Sequence, residues 1–311
     1  VKAIAIRSFG GADRLAVMEL AAPRPGPGEI LIRTVAAGVN PVDWKLREGG
    51  LASVPHAFPL IPGWDVAGVV EDLGEGCHRF RKGQRVFAYA RKPFLQWGTY
   101  AECVTVPEAH AAAMPANLLF EEAAAVPCAA LTAHQALKRA GLAAGARLVV
   151  LNGSGGVGHF ALQLARIVGA RSLATTGPRN QEFVMSQGAE SAIDYTRDDL
   201  ANSVKGRFPD GADVVLDAIG GAPLRSALDA VKPGGIIVSV VERIAIAAAR
   251  NIRFERVSSQ PSGEQLEMFA AHAQRKTLRP HVQTIYPLDQ AAQAQDVSRA
   301  GHVRGKLVLA L

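Results

Sequence analysis

The stretch LVVLNGSGGVG, residues 148–158, decides how the rest of the chain is read. Leu148, Val149, Val150 and Leu151 form a short apolar run bounded by glycine, which reads as a buried strand. Gly153, Gly155 and Gly158 follow in G-x-G-x-x-G spacing. In HFALQLARIVGA, which comes next, Phe160, Leu162, Leu164, Ile167 and Val168 recur at helical spacing, and Gly169 offers a left-handed stop. A strand, a tight glycine turn and a helix in that order aim unpaired helix N-terminal amides at a phosphate, while the missing side chains admit a ligand or the facing backbone. Gly153, Gly155, Gly156, Val157 and Gly158 are therefore the candidate cradle for a dinucleotide pyrophosphate.

A lone glycine pattern also describes an ordinary tight turn, so its surroundings matter. Ser172 to Thr176 reads as a second strand, and DVVLDAIGG (213–221) and GGIIVSVV (234–241) repeat the alternation of strand and helix that builds a parallel sheet. An NAD site usually carries an Asp or Glu at the end of the second strand, roughly 20 residues beyond the glycines. Here that place holds TTGPRN, residues 175–180. No carboxylate opposes a 2′-phosphate after Thr176, and Arg179 can meet one with charge-assisted hydrogen bonds, which points to NADPH.

Composition sets the outer limits. At 311 residues the chain has room for two domains, and its apolar and charged fractions are those of a globular protein. The net charge of +6 comes from scattered lysines and arginines without interleaved aromatics, which fits anionic small ligands and argues against a nucleic-acid groove. Cys77, Cys103 and Cys128 lie far apart without C-x-x-C spacing, so neither a disulfide framework nor a structural zinc is expected. The first residues, VKAIAIRSFGG, alternate like a strand, and no apolar run reaches membrane-spanning length; the expectation is a cytoplasmic protein with no membrane partner.

Before residue 115, KAIAIRSF, EILIRTVAAGV, DVAGVVEDLG, QRVFAYA and TYAECVTVP are short strands punctuated by glycine and proline, suggesting a partly closed antiparallel barrel. Near Leu118 the character changes to the alanine-rich helical EEAAAVPCAALTAHQALKRAGL, broken or kinked at Pro127. The last stretch holds a strand, a helix and the final strand KLVLAL, whose style matches the first part. The expected division is residues 1–117 with 277–311 for one domain and 118–276 for the other.

Several motifs in order carry a family resemblance: NPVDWKLREG (40–49), PLIPGWDVAGVV (59–70), KGQRVFAYA (82–90), GTYAECVTVP (98–107), LTAHQAL (131–137), the glycine turn, GADVVLDAIGG (211–221) and RGKLVL (304–309). Together they resemble the zinc-independent quinone and enone reductases of the medium-chain dehydrogenase/reductase superfamily. That resemblance implies an α/β protein, with a Rossmann-type doubly wound parallel sheet binding NADPH and a GroES-like, partly closed antiparallel barrel for substrate and catalysis. It also implies hydride transfer to a quinone or an α,β-unsaturated carbonyl, and commonly a homodimer. Zinc-dependent relatives place ligands where Asn40 and Trp64 stand and close to Cys128, so at most one donor remains and no metal is expected.

By position in the family, Asn40 and Trp64 are the candidate catalytic residues. The Asn40 amide can donate to a developing enolate oxygen, or Asn40 is a turn residue before Pro41. Trp64 can wall a slot for flat apolar substrates, or serve ordinary packing. Thr132 matches a segment at the nicotinamide end of the cofactor, Tyr195 a tyrosine near the adenosine 2′-phosphate, and Ser239 and Val240 a strand end where backbone groups hold the carboxamide. Asp65 is expected to make structural hydrogen bonds. Two other readings stay open: a reductase of 2-alkenals, haloacrylates or enoyl thioesters, and a non-catalytic NADPH-binding sensor or structural protein.

Overall fold

Strand-forming apolar runs and the glycines that end them produce, among the residues that the computed structural model describes (1–245 and 250–311), a six-stranded sheet, a seven-stranded sheet and a two-stranded pair of Lys2–Ala5 with Ala16–Glu19. By internal contacts the chain divides into two compact units, one of residues 1–131 and 260–311, the other of residues 132–259.

In the second unit Arg147–Leu151 is the first strand, and Leu148 to Leu151 are fully buried, as a strand covered on both faces should be. Turn residues 152–155 lead into the helix Gly156–Val168, which ends at Gly169 with φ +82°. Arg171–Thr176, Ser191–Asp194, Ala212–Asp217, Val231–Ser239 and Arg253–Arg256 complete a sheet whose pairings are all parallel. Taking the strands in chain order as first to sixth, their order across the sheet is 3-2-1-4-5-6. The reversal falls between the first and fourth strands, so ligand chemistry is expected at their carboxyl ends, where the glycine turn lies. Leu151, Leu173, Val215, Phe208, Leu224 and Ile237 pack in its core.

Within the first unit Glu29–Val39 is the central strand, pairing antiparallel with Asp65–Leu73, with Cys103–Pro107 and with the last strand, Lys306–Ala310. Arg85–Tyr89 and Ala111–Ala113 extend the sheet on one side, and Val282–Pro287 pairs parallel to the last strand on the other. One cluster of buried side chains, including Ile30, Ile32, Val66, Val86 and Val104, fills the barrel-like core. The alanine-rich segment is two helices, Phe120–Ala124 and Pro127–Ala140, divided just before Pro127. No helix among the described residues is long and apolar enough to cross a membrane.

Candidate functional site

The glycine turn is built by close approach. A Cβ on Gly158 would stand 2.1 Å from the Asn152 carbonyl oxygen, and one on Gly153 would stand 2.5 Å from the Ala174 methyl, so turn, helix and second strand meet where only hydrogen fits. Asn152 takes a left-handed φ of +62° while its N–H donates to Thr175 Oγ1 at 2.9 Å, tying the turn to the neighbouring strand. Gly155 caps the helix without a side-chain acceptor, and the first helical bond runs from His159 N–H to the Gly155 carbonyl. The N–H groups of Gly156, Val157 and Gly158 therefore have no acceptor within the helix and form an anion-binding end. His159 lies fully buried, its Nδ1–H donating to the Gly155 carbonyl, so its ring braces the turn from inside.

At the carboxyl end of the second strand, Thr176 is buried and its Oγ1 has no hydrogen-bond partner. An orphaned hydroxyl beside an anion-binding helix end is the fit expected of a site completed by a ligand. Arg179 is exposed on the short 3-10 turn Pro178–Asn180 that follows. Tyr195 is 53% exposed, with its hydroxyl 3.4 Å from where a Cβ on Gly177 would stand. The adjacent carboxylate, Asp194, accepts from the Thr196 hydroxyl and N–H and pairs with Arg197 at 3.4 Å. Those hydrogen bonds hold its carboxyl below the usual range. Thr176, Gly177, Arg179 and Tyr195 thus gather at one strand end, where a 2′-phosphate would meet a cation and hydroxyls while the Asp194 carboxylate is already committed.

Ser239 and Val240 end the fifth strand. The Ser239 hydroxyl donates to Asp217 Oδ2 at 2.6 Å and accepts from the Val241 and Glu242 amides, and the Val240 N–H donates to the Asp217 carbonyl. Both residues shape a backbone turn; the Ser239 side chain is engaged by that turn. Thr132 donates to Ser259 Oγ at 2.9 Å, both being buried, which fastens its helix to the chain beyond the sixth strand.

The first unit holds the two candidate catalytic residues in different settings. Asn40 is 4% exposed and stands at the start of the helix Pro41–Arg47. Its N–H donates to Asp43 Oδ2 at 2.8 Å, its Nδ2 donates to Asp65 Oδ2 at 2.8 Å, and its Oδ1 accepts from Lys306 Nζ. Asp65 is fully buried, and its second oxygen accepts from the Cys128 N–H at 2.8 Å. Lys306 Nζ stands 3.5 Å from Asp65 and also donates to the Val39 carbonyl. Burial pushes the Asp65 carboxyl up, and the Lys306 charge and Asn40 amide oppose it. Beneath this layer Tyr100 donates to Asp43 Oδ2 at 2.9 Å, and burial raises the Asp43 carboxyl to about 7. The Cys128 thiol donates toward Tyr89 at 3.6 Å and is pushed up to about 12 by burial.

Trp64 faces elsewhere. Its ring meets Tyr89 edge-on with centroids 6.0 Å apart and carries the Arg91 guanidinium at 5.5 Å. It lines a cavity of about 350 Å³ together with Leu51, Val54, Arg91, Leu95 and His110. Asn40 is not among the residues that line it.

Sequence reasoning did not single out Lys306, Tyr100 or His110. Lys306 lies within RGKLVL, and a lysine flanked by strand residues that will be buried was the available signal. Tyr100 and His110 gave none.

Residues 26–116 match the alcohol dehydrogenase GroES-like domain, and residues 187–309 match the family described as zinc-binding dehydrogenase. The chain is 33% identical to the chloroplastic NADPH-dependent alkenal/one oxidoreductase of Arabidopsis thaliana, over 99% of this chain and 79% of that one. It is 34% identical to the 2-methylene-furan-3-one reductase of Solanum lycopersicum over the same shares. The solved structure of the quinone oxidoreductase from Coxiella burnetii, 31% identical, matches with a TM-score of 0.91 over 100% of this chain and 99% of its own. Full-length identity above 30%, the 3-2-1-4-5-6 sheet and the GroES-like unit agree: the chain is an oxidoreductase and belongs to the quinone and enone reductases of the medium-chain dehydrogenase/reductase superfamily.

Proposed function

We propose that this protein is an NADPH-dependent, metal-free reductase of quinones or α,β-unsaturated carbonyls. The observation that carries the coenzyme half is the strand end at Thr176, where an orphaned buried hydroxyl, an arginine and a tyrosine gather and the Asp194 carboxylate is already bound. The helix end at Gly156 to Gly158 holds the pyrophosphate, Arg179 and Tyr195 hold the 2′-phosphate, and Thr132 with the turn at Ser239 and Val240 serves the nicotinamide end. Bound NADPH would supply the hydride, so that a quinone plus one proton yields a hydroquinone, or an enone plus one proton yields the saturated carbonyl.

Asn40 has one Nδ2 hydrogen on Asp65 and a second to offer a developing oxyanion, with the amide held rigid by Lys306. Trp64 supports a flat, electron-poor substrate by stacking. The residues at the zinc-ligand positions do not fit that metal. Asn40 has its carbonyl oxygen on an ammonium, Trp64 offers no donor lone pair, and Cys128 keeps its proton. Without a Lewis acid, substrates that are already electrophilic are favoured over plain ketones. Homodimerisation and a cytoplasmic location belong to the same proposal, and light scattering checks the first.

Loss of NADPH absorbance with 1,4-benzoquinone and with 3-buten-2-one, before and after dialysis against a chelator, tests this reading. Oxidation that survives the chelator supports it. No oxidation across both substrates overturns the reductase assignment, and activity that returns only with zinc overturns the metal-free half. A higher kcat/KM on short 2-alkenals than on quinones would favour the alkenal reading, in keeping with the Arabidopsis relative's name.

A further inference from the structure

We infer that Lys306 is a positioning residue for the reduction: it fixes which way round the Asn40 amide stands and cancels the Asp65 charge beside it, and so makes that amide fit to receive an oxyanion. The inference rests on the reductase reading above and on Asn40 as its hydrogen-bond donor.

The Asn40 amide lies between two opposite charges. Its Oδ1 accepts from Lys306 Nζ, and its Nδ2 donates to Asp65 Oδ2 at 2.8 Å. Turned half a revolution about its last bond, the amide would set its NH2 against the ammonium and its oxygen against the carboxylate, and both contacts would repel. Charge therefore dictates the orientation, and one Nδ2 hydrogen is left over after Asp65 has taken the other. Both charged groups are themselves fixed. Asp65 is fully buried and holds the Cys128 N–H at 2.8 Å on its other oxygen, while Lys306, 3% exposed, also donates to the Val39 carbonyl at 2.8 Å.

The second consequence is electrostatic. Hydride added to the β carbon of an enone moves an electron pair onto the carbonyl oxygen, and the enolate so formed takes up a proton to give the saturated carbonyl. Asp65 by itself would set a negative charge 2.8 Å from the amide nitrogen, where it opposes that oxyanion and weakens the remaining N–H as a donor. Lys306 Nζ stands 3.5 Å from Asp65 Oδ2 and draws on Oδ1 of the same amide, so it offsets both effects. Asp43 is a second acid of the group, bound by the Asn40 N–H and the Tyr100 hydroxyl, and the Lys306 charge acts on both acids. An enone depends on this help more than 1,4-benzoquinone does, because the quinone is the stronger electrophile.

Binding of 4-nitrophenol to the full chain tests the oxyanion site apart from turnover, because its phenolate stands in for the enolate and absorbs visible light. Bound 4-nitrophenol should ionise at a lower pH than the free compound, and Lys306→Met should cancel that shift. Lys306→Gln keeps a donor for Oδ1 without the charge; it should cancel the shift too and serves should the methionine variant fold poorly. Asp65→Asn in the Lys306→Met background should recover most of the shift by removing the uncompensated charge. In turnover with NADPH, Lys306→Met should lower kcat on 3-buten-2-one about tenfold or more relative to kcat on 1,4-benzoquinone, a part of the roughly 100- to 1,000-fold that loss of a whole oxyanion donor costs. A smaller folded fraction scales both substrates alike and cannot move that ratio. In an Asn40→Ala background the ratio should no longer respond to Lys306→Met. Equal loss on both substrates, or no preference of the native protein for the phenolate, overturns the proposal. An Asn40→Ala variant with the native ratio also overturns it, since Lys306 then has nothing to position, and leaves the reductase reading standing. If the phenolate is selected through Lys306 but neither substrate is reduced, the reductase reading fails and the role in reduction with it, while the anion site at Asn40 stands.

Discussion

Asn40 Nδ2 donates to the Asp65 carboxylate at 2.8 Å, joining two loop-to-element junctions that lie 25 residues apart. Through its other oxygen Asp65 holds the Cys128 N–H, and Lys306 closes the group from the last strand. Three segments that a zinc ion could otherwise hold together are here held by a buried carboxylate and a buried ammonium.

Removing the ammonium should therefore cost more than a surface charge. Lys306 is 3% exposed, and deleting one member of a buried pair leaves the other charge uncompensated, at a cost of about 3–5 kcal/mol. Lys306→Met is expected to lower the urea midpoint by a corresponding amount. A midpoint unchanged within error would show that the pair contributes nothing to folding.

Two glycine-to-alanine changes should move stability in opposite directions. At Gly158 the new methyl meets the Asn152 carbonyl oxygen and the Gly153 backbone, a clash worth about 1–3 kcal/mol, and it disturbs the phosphate turn as well. Gly206 lies exposed in the helix Leu200–Arg207 with nothing within 4 Å of the added Cβ, so Gly206→Ala should stabilise by about 0.4–1 kcal/mol. Thermal melts of the two variants check both signs.

Asp43 predicts a pH dependence. Burial holds its carboxyl at about 7 in the folded protein, well above the unfolded value near 3.9, so the folded state binds the proton more tightly. The sign follows: this group's contribution is fully present below about pH 4, declines as pH rises from there to about 7, and is level above. Denaturation curves across that window should show the decline, and Asp43→Asn should flatten it whatever its effect on absolute stability. A slope that persists in the variant would assign the effect to another group.

How much of this could be read from the sequence depends on the range of the interaction. The glycine turn, the helix stop at Gly169 and the break before Pro127 are local, set by backbone freedom and by proline's effect on its predecessor, and the strand and helix positions followed from them. The buried group around Asn40 was not legible, because Lys306 lies 266 residues from it and only the pairing of the last strand with Glu29–Val39 brings them together. Ser239 shows the same difficulty in reverse. Its place at a strand end was visible, but the engagement of its hydroxyl by Asp217, 22 residues earlier, was not. The cavity wall joins Trp64 to Gln260 and Pro261, which no local pattern connects.

Arg179 should discriminate between the coenzymes. Replacing it with alanine is expected to weaken NADPH by about 1.5–3 kcal/mol, the value of a hydrogen bond to a charged group, while NADH changes little. Kinetic comparison of the two coenzymes with the variant checks this, and an equal effect on both would remove Arg179 from the 2′-phosphate site.

The most direct measurement is titration of the purified full chain with NADPH and, separately, NADH, following nicotinamide fluorescence. Saturable binding of NADPH, tighter than that of NADH, is the expected result. If neither reduced coenzyme binds, the amides at Gly156 to Gly158 do not hold a dinucleotide, and the proposed hydride transfer has no donor.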